Sequence, residues 1–381
     1  MKHYKLFVAG ILLLGLFFSG YQCASTEITS AKLYIQQKNW DKALEVLQKD
    51  IDKNPNSDEG YYLLGFVHGE KGNYNEMINA YNKSLNISKK FEKEISDSRK
   101  YFWANTFNRG VSFFQRGNNT SDTDSMMIYY DTSINEFKSA IIIEPDSADT
   151  YKNLAFVHLS KGDNDSAIPQ LVKLIELEKA VEGYRFLGEI YYVKGMNFRS
   201  QEKDSEATAN FEKALEILKE GNKLYPDDQE MSLALSNSLI NLGKTEEAVG
   251  LFKKAVENNP EDKYNRYNYG VVLLTVDEYE EAEQQFLKAL ELDPEYNNAI
   301  FNLGVTYLRW GSFINKKAED EGKITTEYLT KYEKALPYLE KAVQMEGVDA
   351  NIWETLGRVY SVLGMQDDAA NAFNKADELR K

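Results

Sequence analysis

From residue 24 onward, apolar residues recur at three- and four-residue spacing, the mark of helices with one buried face. The pattern predicts an almost entirely α-helical chain of about 18 helices, with no sheet. Pro226, Pro260 and Pro294 lie 34 residues apart, and each closes an apolar run: FEKALEILKEGNKLYP (211–226), AVGLFKKAVENNP (248–260) and EEAEQQFLKALELDP (280–294). Proline cannot continue the helix it follows, so each one forces a turn. A second type of run comes after a proline, seen most clearly in TYKNLAFVHL (150–159), RYNYGVVLL (266–274) and AIFNLGVTY (299–307). The turn inside each unit is polar, as in KGDNDSAIPQL and NLGKTEEAVGLF.

Nine such units follow one another, at about 24–57, 58–91, 101–147, 148–180, 181–228, 229–262, 263–296, 297–349 and 350–381. Most carry a small residue at the eighth position of the first helix and alanine at the twentieth position, in the second. The pairs 31/43, 155/167, 270/282 and 357/369 are each 12 apart. Small side chains at both places let two helices approach closely. The ninth unit shows the full set: Trp353, Leu356, Gly357, Tyr360, Ala369, Phe373 and Ala376. A 34-residue unit of this composition resembles the tetratricopeptide repeat, and the resemblance covers nearly all of residues 23–381. It implies an all-α, right-handed superhelical solenoid of about nine helix-turn-helix repeats. Each repeat buries its face only against a neighbour, so residues 23–381 read as a single array rather than two domains. In the last helix Ala369, Ala370, Ala372, Phe373 and Ala376 are expected to face inward and close the stack.

Three units depart from the 12-residue spacing. Gly110 to Ser133 is 23, Gly188 to Ala214 is 26 and Gly304 to Ala335 is 31, while 11 further residues separate the second and third units. RGNNTSDTDS (116–125) reads as a polar loop, whereas the other two insertions lack proline and read as lengthened helices. They are either a surface for partners or neutral decoration.

Composition removes several function classes. The 45 Lys+Arg against 60 Asp+Glu, a net charge of −15, gives no nucleic-acid footprint. One cysteine excludes a disulfide framework and a cysteine-based zinc site. His68 and His158 fall at the eleventh position of the first helix, where other repeats carry Tyr34, Tyr191, Tyr307 and Tyr360, and so read as packing residues. Carboxylate pairs such as Glu246/Glu247 suit the positive ends of helices. No glycine-rich phosphate loop, His-Glu-x-x-His pattern or nucleophile elbow occurs. The expectation is no catalytic residue, metal, cofactor or small-molecule substrate.

The first 26 residues form a separate segment. Lys2 and Lys5 precede the apolar stretch Leu6–Gly20, and no acidic residue occurs before Glu27. Cys23 follows in Ser19-Gly20-Tyr21-Gln22-Cys23-Ala24-Ser25, which resembles a bacterial lipoprotein signal (1–22) whose cysteine becomes the diacylated N-terminus. Gly20 and Gln22 stand where that family prefers a large aliphatic and a small residue. Cleavage after Ser25, giving a secreted protein, and an uncleaved membrane anchor over Leu6–Thr26 are the alternatives.

What remains is a surface. The tetratricopeptide resemblance implies a groove lined by positions 2, 5, 9 and 12 of the first helices. Here these include Tyr62, Phe66, Phe107, Phe114, Phe156, Arg185, Tyr192, Tyr267, Phe301 and Arg358. Asn108, Asn153, Asn268 and Asn302 recur at position 6, where an amide can bond an extended peptide. Burial of some of these side chains inside the array is the competing reading. The leading expectation is a non-catalytic scaffold for proteins or peptides, lipid-anchored in the bacterial cell envelope at the outer membrane or periplasmic face. The alternative is a regulatory or substrate-presenting subunit of an envelope enzyme.

Overall fold

A computed structural model describes residues 25–226, 228–345 and 347–380; Cys23 and the apolar leader lie outside these residues. The described residues form eighteen α-helices and no strand. They pair into nine hairpins: α1 (Thr26–Gln36) with α2 (Trp40–Lys53), α3 (Asp58–Glu70) with α4 (Tyr74–Ile87), α5 (Glu92–Asn119) with α6 (Thr123–Ile143), α7 (Ala148–Ser160) with α8 (Asn164–Glu178), α9 (Val181–Ser200) with α10 (Asp204–Leu224), α11 (Gln229–Asn241) with α12 (Thr245–Asn258), α13 (Lys263–Thr275) with α14 (Tyr279–Leu292), α15 (Asn297–Asp320) with α16 (Glu327–Ala342), and α17 (Ala350–Val362) with α18 (Gln366–Leu379). Two compact units result, α1–α8 up to Glu178 and α9–α18 from Lys179. Within each unit the first helices of successive hairpins lie side by side. In the second unit hydroxyls also tie one hairpin to the next: Tyr307 donates to Glu283 at 2.5 Å and Tyr360 donates to Glu340 at 2.8 Å.

The turn inside the regular hairpins is one conformation repeated. Position 15 has positive φ in every one: Gly72 (77°), Gly162 (73°), Gly243 (72°) and Gly364 (77°), but also Lys38 (55°) and Asp277 (64°). The next backbone N–H then reaches back to the carbonyl five residues earlier, as Asn73 does to His68 and Lys244 to Leu239, ending the first helix. Glycine adopts this conformation without a side-chain clash, which explains its frequency there.

The small residue at position 8 makes room for a specific partner. A Cβ on Gly65 would lie 2.4 Å from the Tyr81 ring, on Gly270 2.8 Å from Phe286, and on Gly357 2.7 Å from Phe373. All three rings stand at position 24, one turn beyond the small position 20, where Ala282 and Ala369 are buried. The same contact survives in the elongated hairpins, with Gly110 against Phe137, Gly188 against Leu218 and Gly304 against Leu339. Burying each such ring or leucine contributes about 1.5–3 kcal/mol. In the sixth hairpin position 8 is Ser236, fully buried, with no hydrogen-bond partner for its hydroxyl.

All three insertions lengthen helices, including the one expected to be a loop. Residues 116–119 finish α5 and 123–125 begin α6, leaving only 120–122 between them. Asp122 caps α6 through Ser125 N–H at 2.9 Å, so the polar run is a pair of helix ends rather than a loop. The extra turns touch neighbours. Phe102, from the N-terminal extension of α5, packs against Phe66 and Tyr74 of the second hairpin. Arg199, near the end of α9, donates to the side chain and carbonyl of Asn241 at 2.8 and 3.0 Å, and its guanidinium lies over Phe211. In the lengthened part of α15, Phe313 lies 5.7 Å from the ring of Tyr279, at the start of α14. In α18, Ala369, Ala372 and Ala376 are buried, but Ala370 is exposed, since a hundred-degree step carries it off the inward face.

Two substitutions test the close approach. Gly270→Val should lower stability by about 1–3 kcal/mol through overpacking against Phe286. Ser236→Ala should raise it by about 1 kcal/mol by removing an unpaired buried hydroxyl. Thermal unfolding followed by circular dichroism reads both, and a stabilised Gly270→Val would refute the packing account.

Candidate interaction surface

In the first unit the expected groove residues are largely engaged by the array itself. Tyr62 is buried, stacked on Phe91 at 5.0 Å with 9° between the rings, and burial pushes its phenol pKa up to about 12. Phe66 is half-buried against Phe102. The eleven-residue insertion before the third repeat therefore lies across the surface of α3 where a ligand would sit. Phe107 stacks on Trp103 and meets Phe137 edge-on, while Phe114 packs on Tyr130. Phe156 is half-buried on α7. Asn108 is exposed on α5, but Asn153 donates its amide to the Asp149 carbonyl of its own helix at 2.8 Å.

The second unit keeps a more open set. Tyr192 is half-buried against Phe211. Arg185 bridges α9 to the start of α11 by pairing with Glu230 at 2.5 Å. Arg358 is exposed and pairs with Glu354 in its own helix. Asn268 is buried, so its amide is not presented to solvent. The residues that do come together are on α13 and α15. Asn302 donates to the Tyr267 hydroxyl at 2.9 Å, and half-buried Phe301, one residue earlier on α15, stands about a hundred degrees around that helix. Tyr267 lies 5.1 Å from the ring of Tyr296, which meets Tyr264 edge-on at 5.6 Å. Lys263 sits over the rings of Tyr264 and Tyr296 and pairs with Asp293 at 2.6 Å. Burial raises the phenol pKa values of Tyr267 and Tyr296, so both keep their protons across the physiological range.

Tyr264, 42% exposed, is the most accessible ring of this group, and the sequence reading passed over it. It stands at position 2, one of the groove positions, so the signal was present. Tyr296 lies between helices, outside any first-helix pattern, and only the folded chain brings it here. Apolar faces edged by a hydroxyl, an amide and an ammonium group suit protein surfaces, where aromatic residues are the usual anchors.

His158 is buried on α7 and His68 half-buried on α3. No group of three or more His, Cys, Asp or Glu among the described residues is placed to hold a metal ion. Asp163 caps α8 through Ser166 N–H, and its other oxygen lies 3.4 Å from His158 Nδ1. No described helix is long and apolar enough to cross a membrane.

Comparison with known proteins agrees with this architecture. Models of the tetratricopeptide repeat match residues 31–72, 58–91 and 146–220, and the model of the cilia and flagella-associated protein 70 middle TPR-like domain matches 232–380. The chain belongs to the tetratricopeptide repeat family. The photosystem I assembly protein Ycf3 of a Prochlorococcus marinus strain is 29% identical over 109 residues, 28% of this chain and 61% of its own length. The BBSome complex member BBS4 homolog of Drosophila melanogaster is 18% identical over 217 residues, 57% of this chain and 40% of its own. The chain thus spans less than two thirds of the length of either relative. A solved tetratricopeptide repeat protein from Parabacteroides merdae aligns with a TM-score of 0.48 at 16% identity, over 71% of this chain and 93% of that one. The fold is that of a protein–protein interaction scaffold.

The histidines give a pH test. Burial holds both His68 and His158 below the ordinary 6.5, outweighing the carboxylates of Glu76 and Asp163 beside them. Their folded pKa values lie below the unfolded ones, so the unfolded chain binds more protons, and stability is lost as pH falls below 6.5. The double variant His68→Tyr/His158→Tyr should flatten the fall in melting temperature between about pH 7 and pH 5. An unchanged slope would exclude the two imidazoles as its source.

Proposed function

We propose that this protein is a non-catalytic scaffold that holds partner proteins of a bacterial envelope at a membrane, anchored through lipid on Cys23. The observation that carries the binding half is the α13–α15 surface. There Tyr264 is exposed, Tyr267 and Phe301 are half-buried, and the Asn302 amide is already oriented by the Tyr267 hydroxyl. Rings fixed in advance lose little freedom on binding, which favours affinity per residue. The matched relatives include one named as an assembly protein and one as a member of a complex, and a scaffold role is in keeping with both.

The anchoring half rests on the leader and on Ser25. The Ser25 side chain accepts from Ile28 N–H at 3.1 Å to cap α1, and its hydroxyl donates to buried Asp50. Cleavage after Ser25 would remove this cap, at a cost of about 0.5–2 kcal/mol. Cleavage before Cys23 keeps it. That difference favours the lipoprotein reading over the secreted one.

A photoreactive residue at position 264 should capture partners from envelope membranes. Tyr264→Ala should weaken that binding about tenfold or more while leaving the melting temperature nearly unchanged. Several structural partners support the scaffold; one dominant enzyme would point to a regulatory subunit; no capture would refute the surface. Cys23→Ser should release the protein from the membrane fraction and abolish palmitate labelling. Retention in the membrane after that change would mean an uncleaved apolar anchor, which does not need the thiol.

A further inference from the structure

The exposed face of α1 carries no charge. Its exposed positions are Thr26, Thr29, Leu33 and Gln36, and Gln37, which follows it, is exposed too. The two charged residues of the helix, Glu27 and Lys32, are half-buried and paired with Lys53 and Glu59. Leu33 stands 52% exposed in the middle of this uncharged face. The whole first hairpin is electrically unlike the rest. Residues 26–57 hold five lysines and five carboxylates, whereas loss of Lys2 and Lys5 with the leader takes the chain from −15 to −17. The entire negative balance therefore lies beyond residue 57. Exposed Lys38 and Lys42 stand at and just past the turn that follows α1, and the exposed carboxylate between them, Asp41, is paired with Lys71.

Ser25 fixes where this face begins. Besides capping α1, its hydroxyl bonds Asp50 Oδ1 at 2.5 Å, and Asp50 Oδ2 accepts from the Ser57 hydroxyl at 2.5 Å. Ser57 in turn caps α3. One buried carboxylate thus ties the starts of α1 and α3 together, and residue 25 belongs to the packed hairpin. From Cys23 to Ser25 there are two peptide units, a reach of at most about 7 Å. The polar layer of a bilayer leaflet is about 5–7 Å deep. A lipid on Cys23 therefore holds the start of the first hairpin within about 10 Å of the headgroup layer.

We infer that α1 lies on the lipid surface, its Thr/Leu/Gln face against the headgroups, with Lys38 and Lys42 toward anionic lipid. This rests on the reading of Cys23 as the lipid attachment site. An uncharged helix with lysines at its end is attracted or indifferent to an anionic surface, while the acidic repeats beyond residue 57 are repelled by it. The array is then presented from the membrane at a fixed start rather than swinging on a linker.

The test uses the full lipidated chain in vesicles of phosphatidylethanolamine and phosphatidylglycerol that carry a nitroxide quencher on the headgroup. Fluorophores are placed singly through Leu33→Cys, Gln37→Cys and, as a control on α6, Asn135→Cys. Labels at 33 and 37 should be quenched several-fold more than the label at 135. A flexible Gly/Ser insertion of about 20 residues between Ala24 and Ser25 should abolish the difference while the chain stays membrane-bound. Equal quenching at all three sites, in a chain whose N-terminal peptide has the mass of acylated Cys23, would overturn the docking and leave the anchor standing. An N-terminal peptide without acyl mass would overturn both.

Discussion

The fold depends on how closely two helices can approach at position 8. A glycine there sits under the ring or leucine at position 24, with added Cβ atoms 2.4–2.8 Å from the nearest ring or methyl atoms at Gly65, Gly270, Gly304 and Gly357. At these glycines an added side chain would have to displace the ring or leucine, and in the other regular hairpins position 8 holds only the small Ala31, Ala155 and Ser236, so the contact fixes the spacing of the hairpin. It also explains which changes of length the chain accepts. Residues 8 and 24 are sixteen apart in the regular hairpins, but 27, 30 and 35 apart in those of Gly110, Gly188 and Gly304. Extra turns are added beyond both helices at the hairpin tip, and the contact is left intact.

Those extra turns are not idle. Arg199 grips the end of α11, Phe313 packs on Tyr279 at the start of α14, and the separate N-terminal extension of α5 places Phe102 on α3 and α4. The last of these also occupies a surface on which a partner would otherwise lie. The first unit accordingly spends its aromatic residues on internal packing, with Tyr62 stacked on Phe91 as the plainest case. In the second unit no insertion covers α13, and Tyr264 stays accessible.

The two ends of the proposed function are thus set by different physics. Binding rests on rings held by neighbouring rings and by one amide–hydroxyl bond, which are short-range and insensitive to salt. Membrane placement rests on a tether of two peptide units and on an uncharged first helix ahead of strongly acidic repeats. The buried Asp50, shared by Ser25 and Ser57, connects the two by making the first hairpin rigid up to residue 25.

The repeat itself was determined by the sequence alone. Prolines every 34 residues, small residues at positions 8 and 20, and apolar spacing of three and four specify nine hairpins, because each of these is a local rule of turn or close approach. The histidines at position 11 were legible as packing residues for the same reason. The candidate surface was only half legible. Position numbers located Tyr267, Phe301 and Asn302, but could not tell that Asn268 is buried or that Asn153 bonds its own backbone. Nor could they place Tyr296 beside Tyr264, or show that residues 91–102 fold over α3. The polar run at 116–125 misled in the same way, since helix ends and loops share a composition and differ only in what their backbone bonds to. A helical repeat is written in contacts close along the chain, whereas exposure depends on which distant segment covers it, and only the tertiary structure decides that.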